Sequence, residues 1–157
     1  MSEHAARLAN RLLREGEKTR LFFSQIPETI LEKSLYSEGA SWTVHQVIVH
    51  LVESEDSLPR LFKHIVDGGS GVSKDFDLNR YNEGAVKKLE LLPLEGLAKI
   101  FVERRNLAVE FVQGLSDDDL NKEGFHPFLG QAPVKEMIRL FYLHAQIHLR
   151  DIRKLIE

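Results

Sequence analysis

The chain has 157 residues, 43% hydrophobic and 29% charged, with a formal net charge of −3, which suits one domain (residues 1–157) around an enclosed core. It contains no cysteine, so disulfides, zinc ribbons, thiolate nucleophiles and iron–sulfur ligation are excluded. Any metal site must draw on His, Asp or Glu. Lys and Arg are scattered rather than gathered into the basic stripe that a phosphate backbone requires, so no nucleic acid is expected as a partner. No apolar run approaches the roughly 18 residues of a membrane span, and the charged, amphipathic start MSEHAARLANRLLREGEK is unlike a secretory signal. No membrane partner is expected, and the default location is cytoplasmic.

Taken in chain order, the apolar residues recur at helical spacing in four long stretches separated by Gly and Pro. The first spans residues 3–24, with Ala6, Leu8, Leu12, Leu13, Phe22 and Phe23 in its stripe. The second spans residues 43–67 on Val47, Leu51, Leu58, Leu61, Phe62 and Ile65. Thr43 and Gln46 there have the spacing of a capping box. Gly68-Gly69-Ser70-Gly71 ends it and opens what reads as a flexible loop.

A short helix is expected over residues 82–90. The third long helix starts at Pro93 and ends before Gly114, with Leu97, Ile100, Phe101, Leu107, Val109, Phe111 and Val112 on a wide apolar face. Ser116 is placed to cap a turn over residues 117–120. The fourth begins near Pro133 and runs to the C-terminus on Val134, Met137, Ile138, Phe141, Ala145, Ile147, Ile152 and Leu155. Strand alternation is absent, so the expected class is all-α. Four helices of about 20 residues, about 30 Å each, fit a four-helix bundle. Linkers of more than ten residues point to at least one connection that crosses it.

Seven histidines are the main carriers of chemistry. His144 and His148 stand four apart, one above the other on a helix face, on the apolar seam between Phe141 and Ile152. An imidazole in a bundle core needs a partner for each ring nitrogen, and a metal ion with an outer acceptor supplies both. Alone, the pair also fits surface or hydrogen-bonded core histidines. His50, near the inward edge of the second helix, shifts that balance, because it faces the other two if the helices are neighbours. Three neutral imidazoles leave a +2 ion uncompensated and favour hydroxide or thiolate at a fourth position. Zinc or nickel leads the expected metals, with iron and copper also accepting imidazole.

Rival metal motifs fail. Ala145 stands where the Glu of H-E-x-x-H belongs. The one Glu-x-x-His spacing, Glu123 to His126, sits beside Gly124 and Pro127 in an expected loop rather than on a di-iron helix. His45 and His64 are expected to be solvated, His4 carries no signal, and His126 reads as a loop-structuring residue at the rim of the site. Glu53, three residues after His50, is a speculative orienting group or base set against the default of a solvated carboxylate. Glu55 points elsewhere.

These residues resemble the DinB-like superfamily over nearly the whole chain. The resemblance is carried by Trp42-Thr43-Val44 opening the helix HQVIVHLVESE, then Tyr81-Asn82, Arg104-Arg105, His126-Pro127-x-x-Gly130 and finally His144-Ala145-Gln146-Ile147-His148-Leu149. It implies up-down-down-up connectivity, a three-histidine metal site on His50, His144 and His148, and frequent homodimers. It further implies metal-dependent hydrolase or thiol-dependent S-transferase activity, with bacillithiol or mycothiol as thiols. Asp151, where a Gln often follows the second histidine, and Ala132-Pro133, where a Ser or Thr cap is common, depart from the pattern. The expected function is activation of a small-molecule thiol or water for attack on an electrophilic small molecule. The alternative is a non-enzymatic metal-binding or stress-response bundle whose site is structural or vestigial.

Overall fold

A computed structural model describes residues 2–36 and 41–157. Its four long helices are α1 (Glu3–Gln25), α2 (Val44–Val66), α4 (Leu94–Gln113) and α6 (Val134–Ile156), with shorter α3 (Leu78–Leu89) and α5 (Asp117–Asn121) between them. The starts follow from local chemistry. Ser2 accepts from the Ala5 amide, and Thr43 and Gln46 close a full capping box that satisfies backbone N–H groups left free at a helix start. Ser116 and Asp119 do the same for α5. Pro93 and Pro133 stand at the N-cap itself, one residue outside their helices.

Cross-chain contacts set the connectivity. Phe23 of α1 meets Phe101 of α4 at 5.4 Å between ring centroids, while Leu12 receives a hydrogen bond from Arg105, so α1 and α4 run antiparallel. Arg11 lies over Tyr142 and Arg153 over Phe22, which makes α1 and α6 parallel. His50 meets His144 and Phe62 meets Phe141, so α2 and α6 are antiparallel. The succession α1, α2, α4, α6 is therefore up, down, down, up, with α1 and α2 on the diagonal.

The core forms two clusters. One holds Leu8, Leu12, Phe62, Ile65, Met137 and Ile138; the other holds Phe23, Val47, Ile48, Leu97, Phe101 and Ile152. Full burial of such a side chain stabilises the fold by about 1.5–3 kcal/mol. Between the clusters lie the buried polar residues His50, Ser54, Glu55 and Arg105. Arg105 forks onto Glu55 at 2.6 and 2.9 Å and donates to the Leu12 carbonyl at 2.9 Å. Gly16 admits its stem, since a Cβ there would lie 2.8 Å from Arg105 Cγ.

Three features differ from the sequence-based expectation. First, residues 123–133 form an antiparallel hairpin, β1 (Glu123–His126) with β2 (Gly130–Pro133), in the register His126↔Gly130. The bundle is thus all-α but for this element. Second, the glycine-rich loop is docked on β1: Phe125 donates to the Ser70 carbonyl at 2.8 Å and accepts from the Val72 amide at 2.9 Å. Third, α3 begins four residues earlier than residue 82, capped by Asp77. Leu13, Leu107 and Ile147, placed on buried stripes, are 49%, 65% and 46% exposed, at the edges of their faces. Among the described residues no helix is long and apolar enough to cross a membrane.

Candidate metal centre

The antiparallel pairing of α2 and α6 brings His50 against His144 and His148. His144 Nε2 lies 3.2 Å from His50 Nε2 and 3.0 Å from His148 Nε2, and one ligand atom from each ring falls within 4.8 Å of the others. Tetrahedral metal–nitrogen bonds of about 2.0–2.1 Å would set such nitrogens about 3.3 Å apart. The chemistry of the donors agrees with a cation. His144 Nε2 carries either one proton or one lone pair, so a hydrogen bond can account for only one of its two short contacts. A cation between the rings satisfies all three nitrogens at once.

Outer contacts prepare His148 for this role. The Tyr36 hydroxyl donates to Asp151 Oδ2 at 2.7 Å and lies 2.8 Å from His148 Nδ1. A carboxylate only accepts, so the single phenolic proton is committed to Asp151 and His148 Nδ1–H must donate to the phenol oxygen. That leaves a lone pair on Nε2. Burial, then Asp151, holds the Tyr36 phenol above its usual range. Trp42 packs against His50 at 5.1 Å between centroids.

All three imidazoles are held neutral. Burial pushes His50 well below its ordinary value, helped by His144 and His148. Burial lowers His144 to about 4, helped by His148 and His126. His148 is lowered by burial and partly restored by Asp151.

A cavity of about 430 Å³ opens beside the group. His50 and His144 line it, with Leu58 and Leu61 from α2, Phe141 and Ile147 from α6, and Tyr81 and Asn82 from α3. Val72 and Phe76 come from the docked loop, and His126 and Phe128 from the hairpin. No Lys, Arg, Asp or Glu lines it among the described residues.

Of the other sequence candidates, His126 does reach the site, as a cavity-lining residue. Glu53 does not: it sits 3.9 Å from Arg104, outside the lining, and burial raises its carboxyl. Glu55 is bound to Arg105; burial pushes its carboxyl up and the guanidinium pulls it back. His45 is half-buried rather than solvated, its Nε2 2.7 Å from the Leu92 carbonyl, whereas His64 is exposed. Tyr36 escaped sequence reasoning altogether. It lies 112 residues from His148, and no local pattern marks it.

The model of the DinB superfamily matches residues 8–152. The chain belongs to the DinB superfamily. Solved structures agree in fold. YfiT from Bacillus subtilis, described as "a probable metal-dependent hydrolase with an unusual four-helix bundle topology", is 19% identical, with a TM-score of 0.77 over 99% of this chain and 87% of YfiT. A mycothiol-dependent maleylpyruvate isomerase is 15% identical, with a TM-score of 0.73 over 97% of this chain and 63% of the isomerase. The colibactin self-resistance protein ClbS, solved with a double-stranded DNA, is 15% identical, with a TM-score of 0.71 over 96% and 95% of the two chains. No curated protein matches the sequence. As a DinB member the chain shares a fold across these proteins, whose described activities differ.

Proposed function

We propose that this DinB member is a metal-dependent enzyme acting on an electrophilic small molecule, with one divalent ion on His50, His144 and His148. The observation that supports it is the double short contact of His144 Nε2, at the wall of a cavity in the size range of small-molecule sites. Zinc or nickel suits the three neutral nitrogens, and iron also accepts them. When bound, the ion supplies Lewis acidity that converts water or a small thiol into an anionic nucleophile near neutral pH.

The chain's own groups do the rest. Tyr36 and Asp151 hold the proton of His148 at Nδ1 and so orient its ring. Leu58, Leu61 and Phe141 give the reacting face an apolar wall. The net charge of −3 and the apolar lining favour a small molecule over the DNA seen with ClbS. One observation favours a second reading, a non-enzymatic metal-binding bundle: among the described residues no carboxylate or lysine stands in the cavity lining as a general base.

Metal analysis of the purified protein tests the site, with about one equivalent expected. His144→Ala should abolish it, and His45→Ala should not. Retention of metal by His144→Ala would place the ion elsewhere. A screen of esters, amides and thiol–electrophile pairs separates enzyme from binder. A cobalt-substituted sample whose visible spectrum no thiol alters would remove the thiol branch.

A further inference from the structure

The cavity beside His50 and His144 is unusual in its lack of charge. Leu58, Leu61, Val72, Phe76, Phe141 and Ile147 are among the apolar side chains of its wall, and no Lys or Arg faces it among the described residues. Away from the histidine group, an anionic substituent would find no cationic partner from the chain, and desolvating an unpaired charge is costly. The occupant is therefore neutral over most of its surface.

Among the polar side chains of that wall, which also include Ser54, Ser57, Tyr81 and Asn82, His126 is the most deeply buried. His126 is only 4% exposed, and its Nδ1 accepts from the backbone amides of Phe128 at 3.0 Å and Leu129 at 3.1 Å. An accepting nitrogen carries no proton. Burial holds this imidazole neutral, with its pKa lowered to about 4, so its one proton resides on Nε2. That N–H has no protein partner among the described residues and, on a side chain that lines the cavity, is left for water or a ligand to satisfy. Ser54 offers no competing donor, because its hydroxyl already donates to the His50 carbonyl at 2.9 Å. The donor is also rigidly placed: β1 is paired with β2 on one side and with Ser70 and Val72 on the other.

We propose that His126 Nε2–H is the specificity-determining contact of this cavity, which takes a neutral, largely apolar small molecule through one carbonyl-type hydrogen-bond acceptor. This deepens the proposed function and rests on it only in taking the cavity as the substrate pocket. Three isosteric probes separate the terms: 4-fluoroacetophenone with a carbonyl, 4-fluorocumene without one, and 4-fluorobenzoate with a charge. Fluorine NMR titration gives their affinities for the protein as purified, with and without a chelator.

His126→Asn keeps an acceptor for the hairpin amides but draws the donor back from the cavity. The ketone-to-cumene affinity ratio should fall about tenfold in that variant, the cost of one hydrogen bond, with cumene binding within about twofold of wild type as the check on folding. His126→Phe, which fills the ring's space, should show the same fall. With chelator present, benzoate should bind at least tenfold more weakly than the ketone. An unchanged ratio in both variants, benzoate binding as tightly as the ketone under chelation, or no binding of any probe to wild type would each overturn the proposal. Metal content on the same preparation is a separate readout. A protein that holds no metal yet shows the His126-dependent ratio would lose the proposed function and keep this one.

Discussion

The Tyr36 hydroxyl stands between His148 and Asp151, 2.8 Å from the imidazole Nδ1 and 2.7 Å from the carboxylate. It thereby sets which nitrogen of His148 keeps a proton. Removing the phenol oxygen frees the ring to rotate or to move its proton to Nε2. Tyr36→Phe should weaken metal binding by about 10–100-fold, the usual loss when an outer partner of a metal-binding histidine is removed. Competition with a chromophoric chelator measures it. An affinity within twofold of wild type would show that the contact does not orient the ligand.

The Glu55–Arg105 pair is a structural counterpart to the three-histidine group in the same polar layer. Both side chains are 3% exposed, and the guanidinium also lies over Phe101 and Phe141 at 5.0 and 5.1 Å. Breaking one partner strands the other's charge. Arg105→Met should cost about 3–5 kcal/mol in urea unfolding, and the double change with Glu55→Leu should recover most of it. A single-variant loss under about 1 kcal/mol would mean that water reaches the pair.

Much of this was legible in the sequence, and the gaps have physical causes. Helical periodicity and the Thr43–Gln46 box located the long helices, and phase put His144 and His148 on one seam and His50 near the inward edge of its helix. Glu53 shows the limit of that method. At about 100° per residue, position i+3 falls to one side of His50 and i+4 to the other. Ser54 therefore lines the cavity while Glu53 turns to Arg104. The hairpin was invisible because its strands have four residues each and include Gly124, Gly130 and Pro133, too short and too interrupted for alternation to register. Tyr36 is brought in by tertiary structure alone.

Gly71 fixes the docked loop that forms one wall of the cavity. Its φ is +96°, and a Cβ there would lie 2.3 Å from the Phe125 amide nitrogen. Backbone cannot yield as a flexible side chain can. Gly71→Ala should destabilise the protein by more than about 1 kcal/mol and should weaken 4-fluorocumene binding, since Val72 follows directly. Thermal melts and the fluorine titration measure the two effects. Wild-type values in both would mean that the loop is not held by this close approach.

The buried histidines also predict how the chelated protein responds to acid. His126 has an ordinary value of 6.5 when unfolded and about 4 when folded. Above pH 6.5 neither state takes the proton, so its contribution to stability is fully present. As pH falls from 6.5 towards 4 the unfolded chain gains a proton that the folded one refuses, and stability is lost. His144, lowered to about 4, acts in the same direction. Glu53, raised by burial, works oppositely: its contribution favours the folded state at acid pH and fades as pH rises through its folded value. Comparing wild type with His126→Asn cancels that background. Denaturation midpoints between pH 7 and 4 should fall more steeply in wild type than in the variant. Parallel curves would show that His126 is not the buried neutral group that its hairpin contacts require.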